Sequence, residues 1–283
     1  MAELPAVDWT QRADLAALVA ALGEGRLRWV GGCVRDTLLG APVHDIDAAT
    51  TLRPEQVIAA CEEAGIRTVP TGIEHGTVTA VMDGSNVEIT TLRRDVATDG
   101  RRATVAFADD WREDAARRDF TINALYADPA TLAVSDYFGG LDDLEARRVR
   151  FIGDPRDRIA EDHLRILRYY RFQARFGAAL DDAAEEACAE MAPTLKGLSR
   201  ERVGWELRNL LGLPDPQATM TRMFSRNVLS VVLPEVDAAG LERLAALIAH
   251  ERSQDAEPDA LRRLSAMLPP DRAVATAVAA RLR

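Results

Sequence analysis

A glycine turn, an arginine and two aspartates lie close together near the start of the chain, which reads GGCVRD from residue 31 and HDID from residue 44. Glycines let backbone N–H groups approach phosphate oxygens, and an arginine side chain offers a fork of donors that matches phosphate geometry. We therefore expect Gly32 and Arg35 to bind phosphate. Asp45 and Asp47 are expected to hold Mg²⁺, since this ion prefers oxygen ligands and alternate strand residues share a face. Such a set is typical of nucleotide transfer from a triphosphate held by metal ions.

The surrounding elements are predicted to hold these groups in place. Residues 27–30 and 44–48 have the pattern of strands, and residues 34–39 have the pattern of an amphipathic helix. Taken singly, a Gly-Gly pair is usually a turn, and an Asp-x-Asp pair is usually a solvated strand end. Their order around a strand and a helix is what favours the functional interpretation.

A third carboxylate, Glu88, lies among apolar and β-branched residues. It belongs to the second of two strand-like runs, 76–82 and 86–92, whose connection includes Asp83 and Gly84, a hairpin signal. A carboxylate in such a strand either faces solvent or points at a metal. With two aspartates already forming a site, we expect Glu88 to join them and to help activate an attacking hydroxyl.

Further polar side chains follow from residue 117, where the chain reads RRDFTINAL. Asp119 could be a simple helix N-cap with the arginines solvated. In an enzyme of triphosphates, Asp119 and Asn123 would instead hold ribose hydroxyls, and Arg118 would bind phosphate. The stretch 93–118, which runs into this motif, is densely charged and contains few apolar residues. Its simplest interpretation is a mobile surface loop.

From about residue 141 the composition predicts helices. Residues 146–176 contain nine arginines and four acidic residues, which form either a solvated helix face or a positive surface over phosphates. Asp162 and Arg165 are expected on a helix over 159–176, where residues three apart are neighbours and commonly form an ion pair.

The alternative role for this pair is base selection. Aspartate accepts hydrogen bonds and arginine only donates them. Cytosine and adenine offer an amino donor beside a ring-nitrogen acceptor, whereas uracil and guanine offer the reverse. Asp162 and Arg165 facing that edge would accept C and A without a nucleic-acid template.

Composition sets limits on these interpretations. The 283 residues are 47% hydrophobic, 28% charged and 5% aromatic, with a net charge of −10, so nucleic acid must be bound by local basic patches rather than by the whole surface. The three cysteines form no Cys-x-x-Cys motif, and no signal segment or long apolar run is present. We expect a reduced, soluble, cytoplasmic protein with no membrane partner, and its oligomeric state is left open.

Several motifs in a fixed order resemble those of the class II (bacterial-type) CCA-adding tRNA nucleotidyltransferases, within the family that includes bacterial poly(A) polymerases. The resemblance runs from about residue 27 to about residue 211, in segments that begin at residues 31, 45, 117, 152, 161 and 199.

This resemblance implies an α+β fold, with a nucleotidyltransferase-type mixed-sheet head over residues 1–140. All-α neck and body domains would follow over 141–212 and 213–283, the first selecting the base and the second binding tRNA, with most of the usual tail domain absent. Mg²⁺ is the implied cofactor, and CTP, ATP and tRNA are the implied partners. The implied nucleotide-binding residues are Gly32, Arg35, Arg118, Asp119, Asn123, Asp162, Arg165 and Arg168.

The exact reaction is less constrained, because relatives add CCA, only CC, only A, or poly(A). The stretch 93–118 resembles a flexible loop that CC-adding relatives lack, and residues 71–78 resemble the CCA-type segment. Full CCA addition is therefore favoured, with A addition or poly(A) synthesis as alternatives. A metal-dependent phosphohydrolase would need more than the four histidines present. An inert RNA-binding module would not need the carboxylates.

Overall fold

The computed structural model describes residues 2–83, 85–99 and 102–282. The chain divides into two compact units, residues 1–145 and 146–283. The first unit contains a mixed sheet with helices, and the second contains only helices among its described elements. The predicted α+β class, with a mixed-sheet head followed by helices, is confirmed. The finer division of the helical part near residue 212 stays a prediction.

A seven-stranded sheet forms the first unit. Its strands are β1 Leu27–Val30, β2 Ile46–Thr50, β3 Thr68–Gly72, β4 Thr77–Val81, β5 Asn86–Thr91, β8 Leu125–Ala127 and β9 Val134–Asp136, and two further strands, β6 Arg93–Asp99 and β7 Arg102–Phe107, pair separately. The sheet order is β3-β4-β5-β2-β1-β8-β9. Among the described strands of this sheet, β2 and β5 are parallel neighbours, and the other adjacent strands are antiparallel.

Five helices accompany this sheet. They are α1 Ala13–Leu22, α2 Gly32–Leu38, α3 Pro54–Glu63, α4 Trp111–Ala116 and α5 Gly140–Glu145. The predicted strand at 27–30 is confirmed, and the predicted helix at 34–39 and strand at 44–48 overlap α2 and β2. The predicted hairpin between the runs at 76–82 and 86–92 is confirmed by the antiparallel pairing of β4 with β5, although Gly84 in its turn lies outside the described residues.

The stretch 93–118 is not a structureless loop, so that interpretation is wrong. β6 and β7 pair as an antiparallel hairpin, and α4 follows. Asp110 caps α4 by accepting a hydrogen bond from the backbone N–H of Arg112 over 2.9 Å. Backbone pairing and a side-chain cap stabilise these elements, although the segment has few apolar residues to indicate them.

The second unit is built from nine described α-helices. They are α6 Pro155–Glu161, α7 Arg165–Phe176, α8 Asp182–Met191, α9 Arg200–Leu211, α10 Gln217–Ser225, α11 Leu229–Val232, α12 Ala238–Ser253, α13 Ala260–Met267 and α14 Arg272–Arg281. Within the described part of the chain, none of the helices combines the length and apolarity needed to cross a membrane.

The predicted continuous helix over 159–176 is wrong, because the backbone breaks between α6 and α7. Asp162 has an extended conformation with φ −151° and ψ 104°. Its Oδ1 accepts a hydrogen bond from the backbone N–H of Leu164 over 3.1 Å. An aspartate that bonds the backbone two residues ahead competes with helical hydrogen bonding, which accounts for the break.

Candidate active site

The glycine turn connects β1 to α2. Gly31 has φ +75°, a backbone conformation that side-chain-bearing residues rarely adopt, and Gly32 begins the helix. The first N–H groups of a helix have no partner within it, and glycine leaves them accessible to an anion. A Cβ on Gly31 would lie 3.6 Å from Nη1 of Arg118. The turn predicted to bind phosphate therefore packs directly against the predicted phosphate-binding arginine.

The predicted metal carboxylates lie on the central parallel pair of strands. Asp47 on β2 is the register partner of Glu88 on β5. Register partners on adjacent strands project to the same face of a sheet. Asp45 precedes β2, which begins at Ile46, so strand alternation does not itself decide where Asp45 points.

Electrostatic effects on Asp47 show which charges share this locality. Burial, together with the charges of Glu88 and Asp45, raises the pKa of Asp47 to about 6, while Arg118 and Arg35 oppose the rise. Coulomb interactions weaken with distance and with solvent screening. Two acidic side chains and two arginines therefore lie near enough to Asp47 to act on its carboxyl group.

This donor set fits a magnesium ion. Among the described side chains, no group of three or more His, Cys, Asp or Glu residues is arranged to hold a metal. Mg²⁺, however, commonly takes one or two protein carboxylates and completes its coordination with water and substrate phosphate. The pKa of Asp47 is raised first by burial and then by the charge of Glu88, and a divalent cation at this carboxylate would offset both effects. Asp45 and Asp47 as ligands of Mg²⁺ stay a prediction.

Arg35 lies within a buried network. Its Nε and Nη2 donate to the two carboxylate oxygens of Asp36 over 2.9 and 3.0 Å, and its Nη1 donates to Oδ1 of Asn123 over 2.5 Å. Nδ2 of Asn123 donates to Oδ1 of Asp119 over 2.9 Å. All four side chains belong to buried residues. The structure thus joins three predicted nucleotide-binding residues and adds Asp36.

Arg118 is oriented by a second buried group. Its Nε donates to the hydroxyl of Tyr126 over 3.0 Å, and its Nη2 donates to Oδ2 of Asp114 over 3.1 Å. The Tyr126 hydroxyl donates to the same Oδ2 over 2.6 Å. Asp114 also accepts a hydrogen bond from Nε of Arg117 over 2.8 Å. Two contacts therefore define the plane of the Arg118 guanidinium.

In the helical unit, Asp162 and Arg165 belong to different local elements. Asp162 lies in the break after α6, and its Oδ2 accepts a hydrogen bond from Nη2 of Arg202 over 2.7 Å. Arg165 begins α7, and its Nη1 donates to Glu161 over 2.5 Å. The expectation that both lie on one helix face is therefore wrong, because the helix ends at Glu161. The side chains of Asp162 and Arg165 are 30% and 13% exposed.

Arg168 is held by a buried acid on a neighbouring helix. Its Nη1 lies 3.7 Å from Oε1 of Glu206 on α9, and Nε of Arg171 donates to Oε2 of the same residue over 2.6 Å. The Arg168 guanidinium carbon also lies 5.6 Å from the centroid of the Phe172 ring. These contacts orient a partly exposed cation on the side of α7 that meets Glu206 of α9.

The supporting acids and their partners were not predicted from the sequence. Asp114 precedes two arginines by three and four residues, a helix spacing that signals pairing. Arg202 and Glu206 lie within the motif that begins at residue 199, but nothing in that motif indicates their partners. Tyr126 carries no sequence signal, because its role depends on where β8 lies in the sheet.

Two protein-family models match this chain. One, described as the poly(A) polymerase head domain, matches residues 27–150. The other, described as a probable RNA and SrmB-binding site of polymerase A, matches residues 177–239. Together they cover most of the first structural unit and about half of the second.

Individual proteins are similar as well. Human mitochondrial CCA tRNA nucleotidyltransferase 1 is 48% identical over 190 residues, which cover 65% of this chain and 43% of that protein. The CCA-adding enzyme of Streptococcus gordonii is 44% identical over 188 residues, covering 66% of this chain and 46% of that enzyme. The chain therefore spans less than half the length of these curated relatives.

A solved structure is similar over nearly the whole chain. The CCA-adding enzyme of Bacillus stearothermophilus in complex with CTP has a TM-score of 0.70 and 29% sequence identity, and the comparison covers 95% of this chain and 70% of that one.

Proposed function

The chain belongs to the poly(A) polymerase and tRNA nucleotidyltransferase family, and we propose that it adds C, C and A to the 3′ end of tRNA. CTP and ATP are the proposed donors, pyrophosphate is the leaving group, and no nucleic-acid template takes part. The names of the human and streptococcal relatives support CCA addition, and the CTP complex of the Bacillus enzyme supports the nucleotide.

One observation carries this proposal. Asp47 and Glu88 are register partners on the central parallel strands. Asp47 also interacts electrostatically with Arg118, which packs on the glycine turn. Carboxylates for a metal and donors for phosphate therefore share one locality. A phosphate-binding turn alone would suit many nucleotide-binding proteins, and the adjoining acids restrict the chemistry to metal-assisted transfer.

The residues of the first unit have separate proposed tasks. Arg118 and the N–H groups at Gly32 bind the triphosphate, and Asp45 and Asp47 hold Mg²⁺. When bound, two metal ions would lower the pKa of the attacking 3′-hydroxyl and neutralise charge on the departing pyrophosphate. Glu88, which is exposed beside Asp47, helps to activate that hydroxyl.

The buried network of Arg35, Asp36, Asn123 and Asp119 gives the sugar and phosphate groups a rigid boundary. Asp119 and Asn123 are proposed to hold ribose hydroxyls, and Arg35 is proposed to stabilise phosphate. Because the four side chains already hydrogen-bond one another, little conformational freedom is lost when the nucleotide binds.

The helical unit is proposed to select the base. Asp162 accepts a hydrogen bond from the exocyclic amino group of cytosine or adenine, and Arg165 donates to the adjacent ring nitrogen. Arg168, oriented by Glu206, contributes positive charge for the nucleotide. Uracil and guanine would set acceptor against acceptor and donor against donor, and the unpaired groups would disfavour them.

The proposal is tested by incorporation of each labelled nucleotide, with Mg²⁺, into tRNAs that end before the first C, before the second C and before the A. We expect CTP to be added to the first two and ATP to the third. ATP addition to the third tRNA alone would mean an A-adding enzyme, and repeated A addition to any RNA would mean a poly(A) polymerase. Phosphate release without incorporation would mean a hydrolase. Absence of incorporation on all three tRNAs would contradict the proposal.

The β6–β7 hairpin is proposed to act in the change from C to A addition. Removal of residues 98–109 is expected to leave CC addition and stop the final A. A shorter deletion removes the residues from Ala97 to its cross-strand partner Thr104 and keeps the base of the hairpin at Arg93 and Phe107. It separates the effect of shortening the hairpin from damage to the sheet. Normal A addition by both variants would remove the hairpin from the proposal.

A further inference from the structure

Asp114 is a buried carboxylate whose oxygens collect four hydrogen bonds. Its side chain is only 1% exposed. Oδ1 accepts from the Arg117 guanidinium over 2.8 Å and from the backbone N–H of Arg93 over 3.3 Å. Oδ2 accepts from Arg118 over 3.1 Å and from the Tyr126 hydroxyl over 2.6 Å. This acid therefore connects elements that are distant in sequence.

One of these connections leads to the hairpin. Arg93 is the first residue of β6, and its guanidinium donates to the backbone carbonyl of His75. Phe107, the last residue of β7, packs against Gly76, where a Cβ would lie 3.0 Å from the ring. The Arg53 guanidinium lies 4.4 Å from the centroid of the same ring. These contacts of Arg93 and Phe107 hold the base of the hairpin in place.

The other connection leads to the glycine turn. The Tyr126 hydroxyl accepts a hydrogen bond from Nε of Arg118 and donates to Asp114. Arg118 therefore contacts the Asp114–Tyr126 pair through two of its nitrogens, while its Nη1 lies beside Gly31. A shift of the hairpin base would be transmitted through Asp114 to the guanidinium that lines the turn.

We propose that Asp114 and Tyr126 are positioning residues that couple the base of the β6–β7 hairpin to Arg118 and so set the affinity of the site for nucleotide. The inference rests on the proposed function for the identity of the ligand, and on the hydrogen bonds above for the coupling. Asp114 and Tyr126 act through Arg118 and need no contact with the substrate.

The test begins with Tyr126→Phe, which removes one hydroxyl and keeps the ring contacts with Trp111 and Tyr137. Tyr137→Phe is the matched control, because its hydroxyl accepts a hydrogen bond from a different arginine, Arg28, over 2.9 Å. Binding of labelled CTP and ATP is measured by equilibrium dialysis without tRNA, and the KM and kcat of incorporation are measured in parallel.

Loss of a hydrogen bond that orients a charged group is expected to weaken nucleotide binding about fivefold to tenfold in Tyr126→Phe. KM should rise by a similar factor with kcat nearly unchanged, because Arg118 contacts the triphosphate before and during reaction. Tyr137→Phe should bind as the unaltered protein does. Equal dissociation constants for the two variants would overturn the positioning role.

The coupling to the hairpin is tested by a double-mutant cycle with Phe107→Ala, which removes the ring packed on Gly76. If the hairpin base acts through Tyr126, Phe107→Ala should weaken nucleotide binding in the unaltered protein and add less than about twofold to Tyr126→Phe. Multiplicative effects, or no effect of Phe107→Ala alone, would overturn the coupling.

The dialysis also keeps the two proposals distinguishable. Nucleotide binding without incorporation into tRNA would contradict CCA addition and still allow the cycle to be scored. Incorporation with identical affinities in all the variants would contradict both the positioning role and the coupling, and would leave CCA addition standing.

Discussion

The two regions that carry the predicted nucleotide-binding residues differ in how those residues are held. In the first unit, Arg35 and Asp36 are 6% and 10% exposed in their side chains, and two further buried residues complete their network. In the helical unit, Asp162 and Arg202 are 30% and 27% exposed, and their ion pair bridges a helix break to another helix. The first pair is nearly enclosed, and the second is partly exposed.

This difference matches the two chemical tasks. A triphosphate and a ribose are the same in CTP and ATP, so rigid, prepaired groups serve both substrates. The bases differ in size, so the groups that read them must adjust. Half-exposed polar side chains on either side of a helix break can exchange their present partners for a base at low cost. We therefore expect changes in the first unit to affect rate and stability, and changes in the second to affect selectivity.

The largest effect is expected from Asp47→Ala, which removes a proposed metal ligand from the central strands. Incorporation of labelled CTP should fall by at least about a thousandfold, because the charge of the triphosphate is no longer neutralised at the reacting atoms. Glu88→Gln should be milder, since it keeps the shape. Glu55→Ala, at an exposed position on α3, is the control. Turnover in Asp47→Ala within tenfold of the control would remove the carboxylate from the mechanism.

Asp36→Ala tests, through the stability of the protein, whether the enclosed network of the first unit matters to the fold. Removing the buried carboxylate that accepts two hydrogen bonds from Arg35 is expected to cost about 3–5 kcal/mol of unfolding free energy. The control is Asp14→Ala, which breaks the Arg12–Asp14 pair, each side chain being 25% exposed, at a cost of about 0–1 kcal/mol. Urea unfolding measures both. Similar losses would mean that enclosure does not distinguish the network.

In the helical unit, Asp162→Ala should relax base selection and leave the fold nearly intact. Loss of the acceptor should reduce discrimination against UTP and GTP by about tenfold to a hundredfold, with less than about 1 kcal/mol lost in stability. Arg202→Ala removes its partner and should change selectivity less. If incorporation of all four nucleotides is unaltered in Asp162→Ala, the residue is an ordinary partner of Arg202.

The smallest expected effect is the acid sensitivity of the first unit. Burial opposes ionisation of Asp114, but Arg118, Arg117 and the Tyr126 hydroxyl overcome this and lower the pKa of the carboxyl to about 2, from 3.8. The resulting stabilisation, about 2 kcal/mol, is present above pH 4 and is lost as the pH falls toward 2.

Thermal unfolding at pH 5, 4, 3 and 2 checks this behaviour in the unaltered protein and in Asp114→Asn. The stability difference between them should shrink as the pH falls, since Asn cannot ionise. A difference that is constant across this range would contradict a charge-dependent role for Asp114.

Local patterns were sufficient for much of the fold. The strand at 27–30 and the helix at 34–39 follow from short-range periodicity and agree with the structure to within two residues. Two elements were misjudged for different reasons. The β6–β7 hairpin is held by backbone pairing in a segment with little apolar content, and the break at Asp162 depends on a side chain that bonds its own backbone. Periodicity detects neither.

The sequence by itself determined which chemical groups are available, because residue types and short spacings within one segment decide the turn at Gly31 and the acids that follow it. Only the tertiary structure decided which groups act together. Asp47 meets Glu88 because β2 and β5 are parallel neighbours, and Arg118 reaches the turn because β8 brings Tyr126 to Asp114. Strand order and register depend on packing of the whole sheet, which no local pattern encodes.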